Sequence, residues 1–308
     1  MDESERFRGC LLGLAVGDAV GTTVEFKPRG SFPPVTDMIG GGPFGLTPGE
    51  WTDDTSMALC LATSLVETDG FDPLDQMERY VRWWDEGYLS STGRCFDIGG
   101  TVAGALRRYK QTHESYSGST SANAAGNGSI MRLAPVPMYY WPDRTASLHH
   151  AVLSSRTTHA CSECIDACRL LASVIVNALD GSPKETVLRN HDDLGDLAPS
   201  IAAIARGDYH TKPASQVRGS GYVVASLEAA LWCFDTTTSF EDAILKAANL
   251  GDDADTTAAV CGQIAGAFYG EDGIPEPWRR RVAKRDLIVE LAERLWKSHI
   301  HDSPDPQE

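Results

Sequence analysis

The chain has 308 residues, 42% of them apolar and 23% charged, a balance that suits a globular protein with a sizeable core and excludes disordered and fibrous classes. Twenty-seven Lys and Arg against 43 Asp and Glu leave a net charge of −16, which argues against general nucleic-acid affinity and against docking on anionic lipid. The early apolar run Cys10–Val16 is too short to cross a bilayer, and it follows Asp2, Glu3 and Glu5, the wrong sign for a secretory leader. Its eight cysteines are therefore expected as reduced thiols in a cytoplasmic protein.

In chain order, Gly9, Gly13, Gly17 and Gly21 recur every fourth residue of a first helix and give it one face that a neighbouring backbone can approach closely. Residues 27–50, with Pro28, Pro33, Pro34, Pro43 and Pro48 and six glycines, read as a long irregular loop. Residues 52–67 open on capping residues and continue as helix formers. After a second loop at 113–129, helices are expected over 159–179, 223–234, 255–269 and 278–298, with a third loop at 206–221. The last helix is amphipathic through Ile288, Leu291 and Leu295. Cys161, Cys164 and Cys168 fall on one helical stripe and read as core rather than as a metal cluster. Roughly ten helices and no strand rhythm point to an all-α fold. No linker divides the chain, so residues 1–308 are read as one domain, with a frayed tail after His301.

Two acidic clusters stand at the starts of apolar helices: Trp51-Thr52-Asp53-Asp54-Thr55 and Gly251-Asp252-Asp253-Ala254-Asp255-Thr256-Thr257. Helix capping explains one or two of these acids. It does not explain several carboxylates brought against a core, where they repel one another unless a cation neutralises them. Carboxylates with Thr hydroxyls are hard-oxygen donors suited to Mg²⁺ or Mn²⁺. If the clusters meet, they form a two-metal site with cations about 3.5–4 Å apart, the equipment of a binuclear hydrolase.

With these clusters, three further segments complete an ordered set: Gly13-Leu14-Ala15-Val16-Gly17-Asp18-Ala19 followed by Glu25, Asn127-Gly128-Ser129-Ile130-Met131-Arg132, and Thr158-His159. Together they resemble the ADP-ribosylglycohydrolase family. The resemblance implies a compact all-α domain with two Mg²⁺ or Mn²⁺ ions held by Thr52, Asp53, Asp54, Asp253, Asp255 and Thr256. It implies hydrolysis of an N- or O-glycosidic bond between ADP-ribose and an acceptor such as an Arg or Ser side chain, with Glu25, Asp54 and Asp253 in catalytic roles. Asp97, Gly99, Asn127, Gly128, Ser129, His159 and Tyr222 would bind the substrate. ADP-ribose and an ADP-ribosylated substrate are thus the expected partners of a monomer that uses no membrane. Two positions depart from the pattern: Asp252 stands where Gly is common, and Gly100 where many relatives have Asn. A hydrolase of another ADP-ribose derivative, or a catalytically silent ADP-ribose-binding or structural member, are the alternatives.

Overall fold

The computed structural model describes residues 1–298; the tail expected to fray after His301 lies outside the described residues. The fold is all-α. Its helices are α1 (Glu3–Gly21), α2 (Asp53–Glu67), α3 (Pro73–Glu86), α4 (Gly100–Thr112), α5 (Pro135–Tyr140), α6 (Arg144–Arg156) and α7 (Ser162–Leu179), followed by α8 (Lys184–Arg189), α9 (Pro199–Ala205), α10 (Val223–Asp235), α11 (Phe240–Ala248), α12 (Ala254–Tyr269), α13 (Glu276–Arg281) and α14 (Arg285–Lys297). Among the described residues the only extended pairing is three isolated bridges, Gly41 with Leu46, Ser119 with His159 and Gly126 with Tyr222.

The first helix is capped by reciprocal bonds: Asp2 Oδ1 accepts from the Glu5 amide at 2.8 Å and Glu5 Oε2 from the Asp2 amide at 3.1 Å. From Gly9 onward every residue of α1 is buried. The apolar stretch is longer than Cys10–Val16: residues 3–24 reach membrane-spanning length and apolarity, but 94% of the span's most apolar window is buried inside the protein. It is the central helix of the core.

Its partner is α12, which runs antiparallel to it. A Cβ added at Gly9, Gly13, Gly17 or Gly21 would lie 2.3, 2.3, 2.1 or 2.4 Å from the carbonyl oxygens of Gly266, Gly262, Ala258 and Ala254. The glycine face seen in the sequence is thus a rail along which two backbones touch. This register sets the end of α1 beside the start of α12, and the start of α2 joins them there.

The 278–298 helix breaks in two. Between α13 and α14, Lys284 takes a left-handed φ of 52°. The cause lies far away in sequence: the Ala283 amide donates to Gly49 O at 2.9 Å, and Trp51 Nε1 donates to Ala283 O at 3.1 Å. The segment leading into the first acidic cluster therefore inserts at the break and is anchored by it.

The rail predicts opposite outcomes for two Gly→Ala changes. Gly17→Ala must push α1 off α12 and is expected to destabilise by about 1–3 kcal/mol or more. At Gly104, on α4, an added Cβ meets only the flexible Arg108 guanidinium at 3.6 Å, so Gly104→Ala should be neutral or stabilising by up to about 1 kcal/mol. Urea unfolding of the two variants checks the contrast.

Candidate active site

Asp18, on the last turns of α1, organises the site. Its Oδ1 accepts from the Thr52 amide and hydroxyl, both at 2.9 Å, and its Oδ2 from the Thr55 amide at 3.1 Å and hydroxyl at 2.6 Å. One carboxylate thereby fixes the start of α2. That turn presents Asp53 and Asp54. From the start of α12, Thr256 Oγ1 donates to Asp54 Oδ1 at 3.1 Å, and Thr52 Oγ1 lies 3.3 Å from Asp255 Oδ2. The two acidic clusters, about 200 residues apart, meet. A short 3₁₀ turn after α1 (Thr22–Val24) delivers Glu25, and the loop before α4 delivers Asp97.

Carboxylate oxygens of Asp18, Asp54 and Asp255 lie within 4.8 Å of one another, and so do those of Glu25, Asp97 and Asp255. Burial drives the consequences. It pushes Glu25 up to about 9, with Asp97, Asp253 and Asp18 adding repulsion. It pushes Asp97 up to about 7 and Asp18 up to about 6, and it raises Asp53, Asp54 and Asp255 well above the ordinary carboxylate range. Asp54 Oδ2 and Asp255 Oδ1 are buried with no hydrogen-bond partner. Orphaned anionic oxygens in a convergent hard-donor set fit a divalent cation of the Mg²⁺ class.

Beside this cluster opens a cavity of about 900 Å³, lined by Glu25, Asp53, Asp97, Asp253 and Thr256 and by Gly99, Gly126, Asn127, Gly128 and His159 among others. Its lining includes no Lys or Arg. Asn127 O accepts from the amides of Ile130 and Met131 at 3.0 and 3.2 Å, so the loop closes as a turn. The amides of Gly128 and Ser129 lie inside that turn and are the donors it can offer an anion. A Cβ at Gly128 would meet His159 Cε1 at 2.9 Å, so the ring packs directly on the glycine.

The tautomer of His159 follows from a chain of bonds. Arg132 Nη2, which can only donate, reaches Thr158 Oγ1 at 2.8 Å, and Thr158 Oγ1 lies 2.8 Å from His159 Nδ1. Among the described residues, Nδ1 is the one hydrogen-bond acceptor within reach of the Thr158 hydroxyl, and the arrangement that satisfies both groups carries the ring hydrogen on Nε2. Burial, reinforced by Arg132, pulls the imidazole down to about 3 and keeps it neutral. His159 is a fixed neutral donor in the cavity wall.

The side chains of three residues expected to touch substrate have neighbours of their own. Asn127 Nδ2 donates to Asp253 Oδ2 at 2.7 Å and to Ser226 Oγ at 3.3 Å, so its amide positions a carboxylate. The Ser129 side chain is buried, so a contact from this residue would come from its backbone amide. Tyr222 is outside the lining; its backbone pairs with Gly126 while its hydroxyl donates to Glu163 at 2.7 Å. Gly99 and Gly100 border open space. The Cys161–Cys164–Cys168 stripe is buried and free of disulfides, in keeping with a core role.

Other contributors had no assigned role in the sequence reading. Asp18 was legible as a lone carboxylate inside an apolar helix, a placement that demands partners. Gln263, on α12, holds the glycine loop by donating to Ile130 O and Met131 O at 3.0 and 2.8 Å and accepting from the Ala134 amide at 2.9 Å. Arg132 is fully buried with its guanidinium 4.6 Å from the Tyr80 ring centroid.

The sequence profile described as ADP-ribosylglycohydrolase matches residues 1–304. The chain is 47% identical to the "ADP-ribosylarginine hydrolase Tri1" of Pseudomonas putida (strain GB-1), covering 95% of this chain and 78% of that one. It is 34% identical to the "ADP-ribosyl-[dinitrogen reductase] glycohydrolase" of Rhodospirillum rubrum, over 93% and 92% of the two chains. A solved structure titled "ADP-ribosylglycohydrolase-related protein complex" superimposes with a TM-score of 0.84 at 42% identity, covering 96% and 98%.

Two predictions follow from this geometry. Without a cation the folded protein keeps protons on Glu25, Asp97 and Asp18 that the unfolded chain gives up near the ordinary values of 4.5 and 3.8. The stability these three groups contribute is fully present below about pH 3.8 and is lost as pH rises through about 6, 7 and 9. The Tm gained from saturating Mg²⁺ or Mn²⁺ should be larger at about pH 8.5 than at about pH 5.5, by about 3 °C or more, as read by differential scanning fluorimetry. Separately, Thr158→Val frees His159 Nδ1 to take the proton and should weaken ADP-ribose binding roughly 5- to 10-fold, whereas Thr158→Ser should retain it. Nitrogen-15 NMR of the His159 ring reads the tautomer directly.

Proposed function

The chain belongs to the ADP-ribosylglycohydrolase family, and on that premise we propose that it releases ADP-ribose from the side chain of arginine, with two Mg²⁺ or Mn²⁺ ions as cofactors. That it is a hydrolase of ADP-ribosyl glycosidic bonds follows from the family and from its full-length likeness to named hydrolases. The observation that carries the reading is the convergence of Glu25 and four buried aspartates, Asp18, Asp53, Asp54 and Asp255, beside a cavity that also offers half-buried Asp97 and Asp253, a glycine turn and a neutral histidine.

Thr52, Asp53, Asp54, Asp253, Asp255 and Thr256 would hold the cations, and Asp18 and Asp97 stand close enough to join them or to orient those that do. When bound, the cations supply Lewis acidity toward the paired hydroxyls of the distal ribose. The Gly128 and Ser129 amides and His159 Nε2–H suit the diphosphate, replacing the fixed cations that the cavity lacks. In the reaction, water adds its oxygen to C1″ of the distal ribose and the C1″–N bond breaks. The departing guanidine nitrogen gains a proton. Glu25 would take the proton from water and return it to the leaving nitrogen. The carboxylates of Glu25, Asp97 and Asp252 at the cavity also complement a guanidinium, which favours arginine over a neutral acceptor.

Eight free cysteines suit a reducing cytoplasm. The large apolar side chains that remain exposed are few and scattered along the sequence (Met1, Phe26, Ile39, Leu74, Tyr116 and Tyr222), which suits a monomer.

The test is turnover of ADP-ribosylarginine and ADP-ribosylserine by the purified protein, with free ADP-ribose measured by chromatography. Arginine release is expected, abolished by excess EDTA and restored by Mg²⁺ or Mn²⁺. Turnover undiminished in EDTA would overturn the metal assignment, and release from serine alone would overturn the acceptor. Glu25→Gln should lower kcat by about 10²–10⁴-fold while ADP-ribose still binds.

A further inference from the structure

Three phenylalanines from two loops, Phe26 and Phe44 between α1 and α2 and Phe96 between α3 and α4, meet at the cavity. The rings of Phe26 and Phe44 lie 6.4 Å apart at 75°, and those of Phe44 and Phe96 lie 5.1 Å apart at 56°. Phe26 and Phe44 line the cavity itself. Phe26 directly follows Glu25 in the chain, and Phe96 directly precedes Asp97, so the rings flank two of the site's carboxylates. Phe26 is 64% exposed, an unusual state for a large apolar side chain beside a core.

The backbone holds it there against its preference. Phe26 has a φ of 62°, a left-handed conformation costly for an aromatic residue, and two more non-glycine residues of the same cavity, Asp97 and Asp252, share it at 61° and 57°. The conformation is enforced by reciprocal bonds: the Phe26 amide donates to Asp252 O at 2.7 Å, and the Asp252 amide donates to Lys27 O at 2.8 Å. The second acidic cluster thus clamps the first residues of the Pro-rich loop and turns an aromatic face outward. Asp252, one of the two departures from the family pattern, is one half of this clamp.

A ring wall with one exposed and two half-buried members, edged by Glu25, Asp97 and Asp252, has the composition of a receptor for a planar, weakly hydrated cation. We propose that Phe26, Phe44 and Phe96 form the acceptor subsite, in which the guanidinium of ADP-ribosylated arginine stacks on the rings while the neighbouring carboxylates balance its charge. The proposal rests on the arginine-hydrolase reading above. It assigns acceptor recognition to the rings and leaves the nucleotide to the glycine turn and His159.

The test compares steady-state kinetics of wild type, Phe26→Ala, Phe44→Ala and Phe44→Trp on ADP-ribosylarginine and on an ADP-ribosylarginine-bearing protein, with ADP-ribose as a product inhibitor. The two Ala variants should raise KM on the order of 10-fold for both substrates, with the Ki of ADP-ribose unchanged within about twofold. Phe44→Trp, which keeps a π face, should stay near the wild-type KM. The unchanged Ki also verifies that each variant is folded, and the exposure of Phe26 makes its truncation mild. An unaltered KM in both Ala variants overturns the subsite, and a parallel rise in Ki overturns it by returning the rings to the nucleotide. A KM effect confined to the protein substrate overturns the guanidinium assignment, since the rings would then read the surrounding peptide. Wild type inert toward ADP-ribosylarginine overturns the acceptor reading and the subsite with it, whereas active wild type with unaffected Ala variants overturns the subsite alone.

Discussion

Everything at this site depends on two helices touching backbone to backbone. Along α1 and α12 the added Cβ atoms of four successive glycines would fall 2.1–2.4 Å from carbonyl oxygens of the facing helix. Glycine is the residue that permits that distance. The close approach places the carboxylate of Asp18, on one helix, within reach of Asp255, on the other, and leaves room for the start of α2 to close over both. Side chains of ordinary size along the rail would widen the gap and scatter the acids.

Such a site sets hydrophobic burial against charge repulsion, and burial prevails through the packing around it. The helices carrying the aspartates are sheathed in aliphatic core, with Leu59, Leu61, Val260 and Ile264 fully buried. Asp18 is tolerated because four donors from α2 and the residue before it satisfy its oxygens. Asp54 and Asp255 each keep an oxygen unsatisfied. The fold thus stabilises the aspartate that organises the start of α2 and leaves bare oxygens on two of those that would hold a cation. Arg132, Thr158 and Gln263 extend the same division of labour to the glycine turn, where buried polar groups are spent on orientation rather than on contact with a ligand.

The acidic clusters were legible because carboxylates at the start of wholly apolar helices conflict with burial, and a single sequence displays that conflict. The glycine rail was legible from its four-residue period. What could not be read depends on distant segments meeting. The break at Val282–Lys284 exists because Gly49 and Trp51 bond into it, and nothing within 278–298 announces it. The bond of the Asn127 side-chain amide to Asp253, 126 residues later, is another such meeting. The ring wall was equally hidden, since Phe26, Phe44 and Phe96 are unremarkable until a left-handed backbone and two distant loops bring them together. Tyr222 carries a bond the sequence does not announce: its hydroxyl donates to Glu163.

The absence of Lys and Arg from the cavity lining has a kinetic side. A diphosphate approaching a protein of net charge −16 meets repulsion at long range and finds attraction only within contact distance of dipoles and bound cations. Ordinary nucleotide enzymes are slowed by salt because it screens their attraction. Here screening shortens the reach of the repulsion, to about 8 Å at physiological ionic strength, so encounter becomes faster as salt is added.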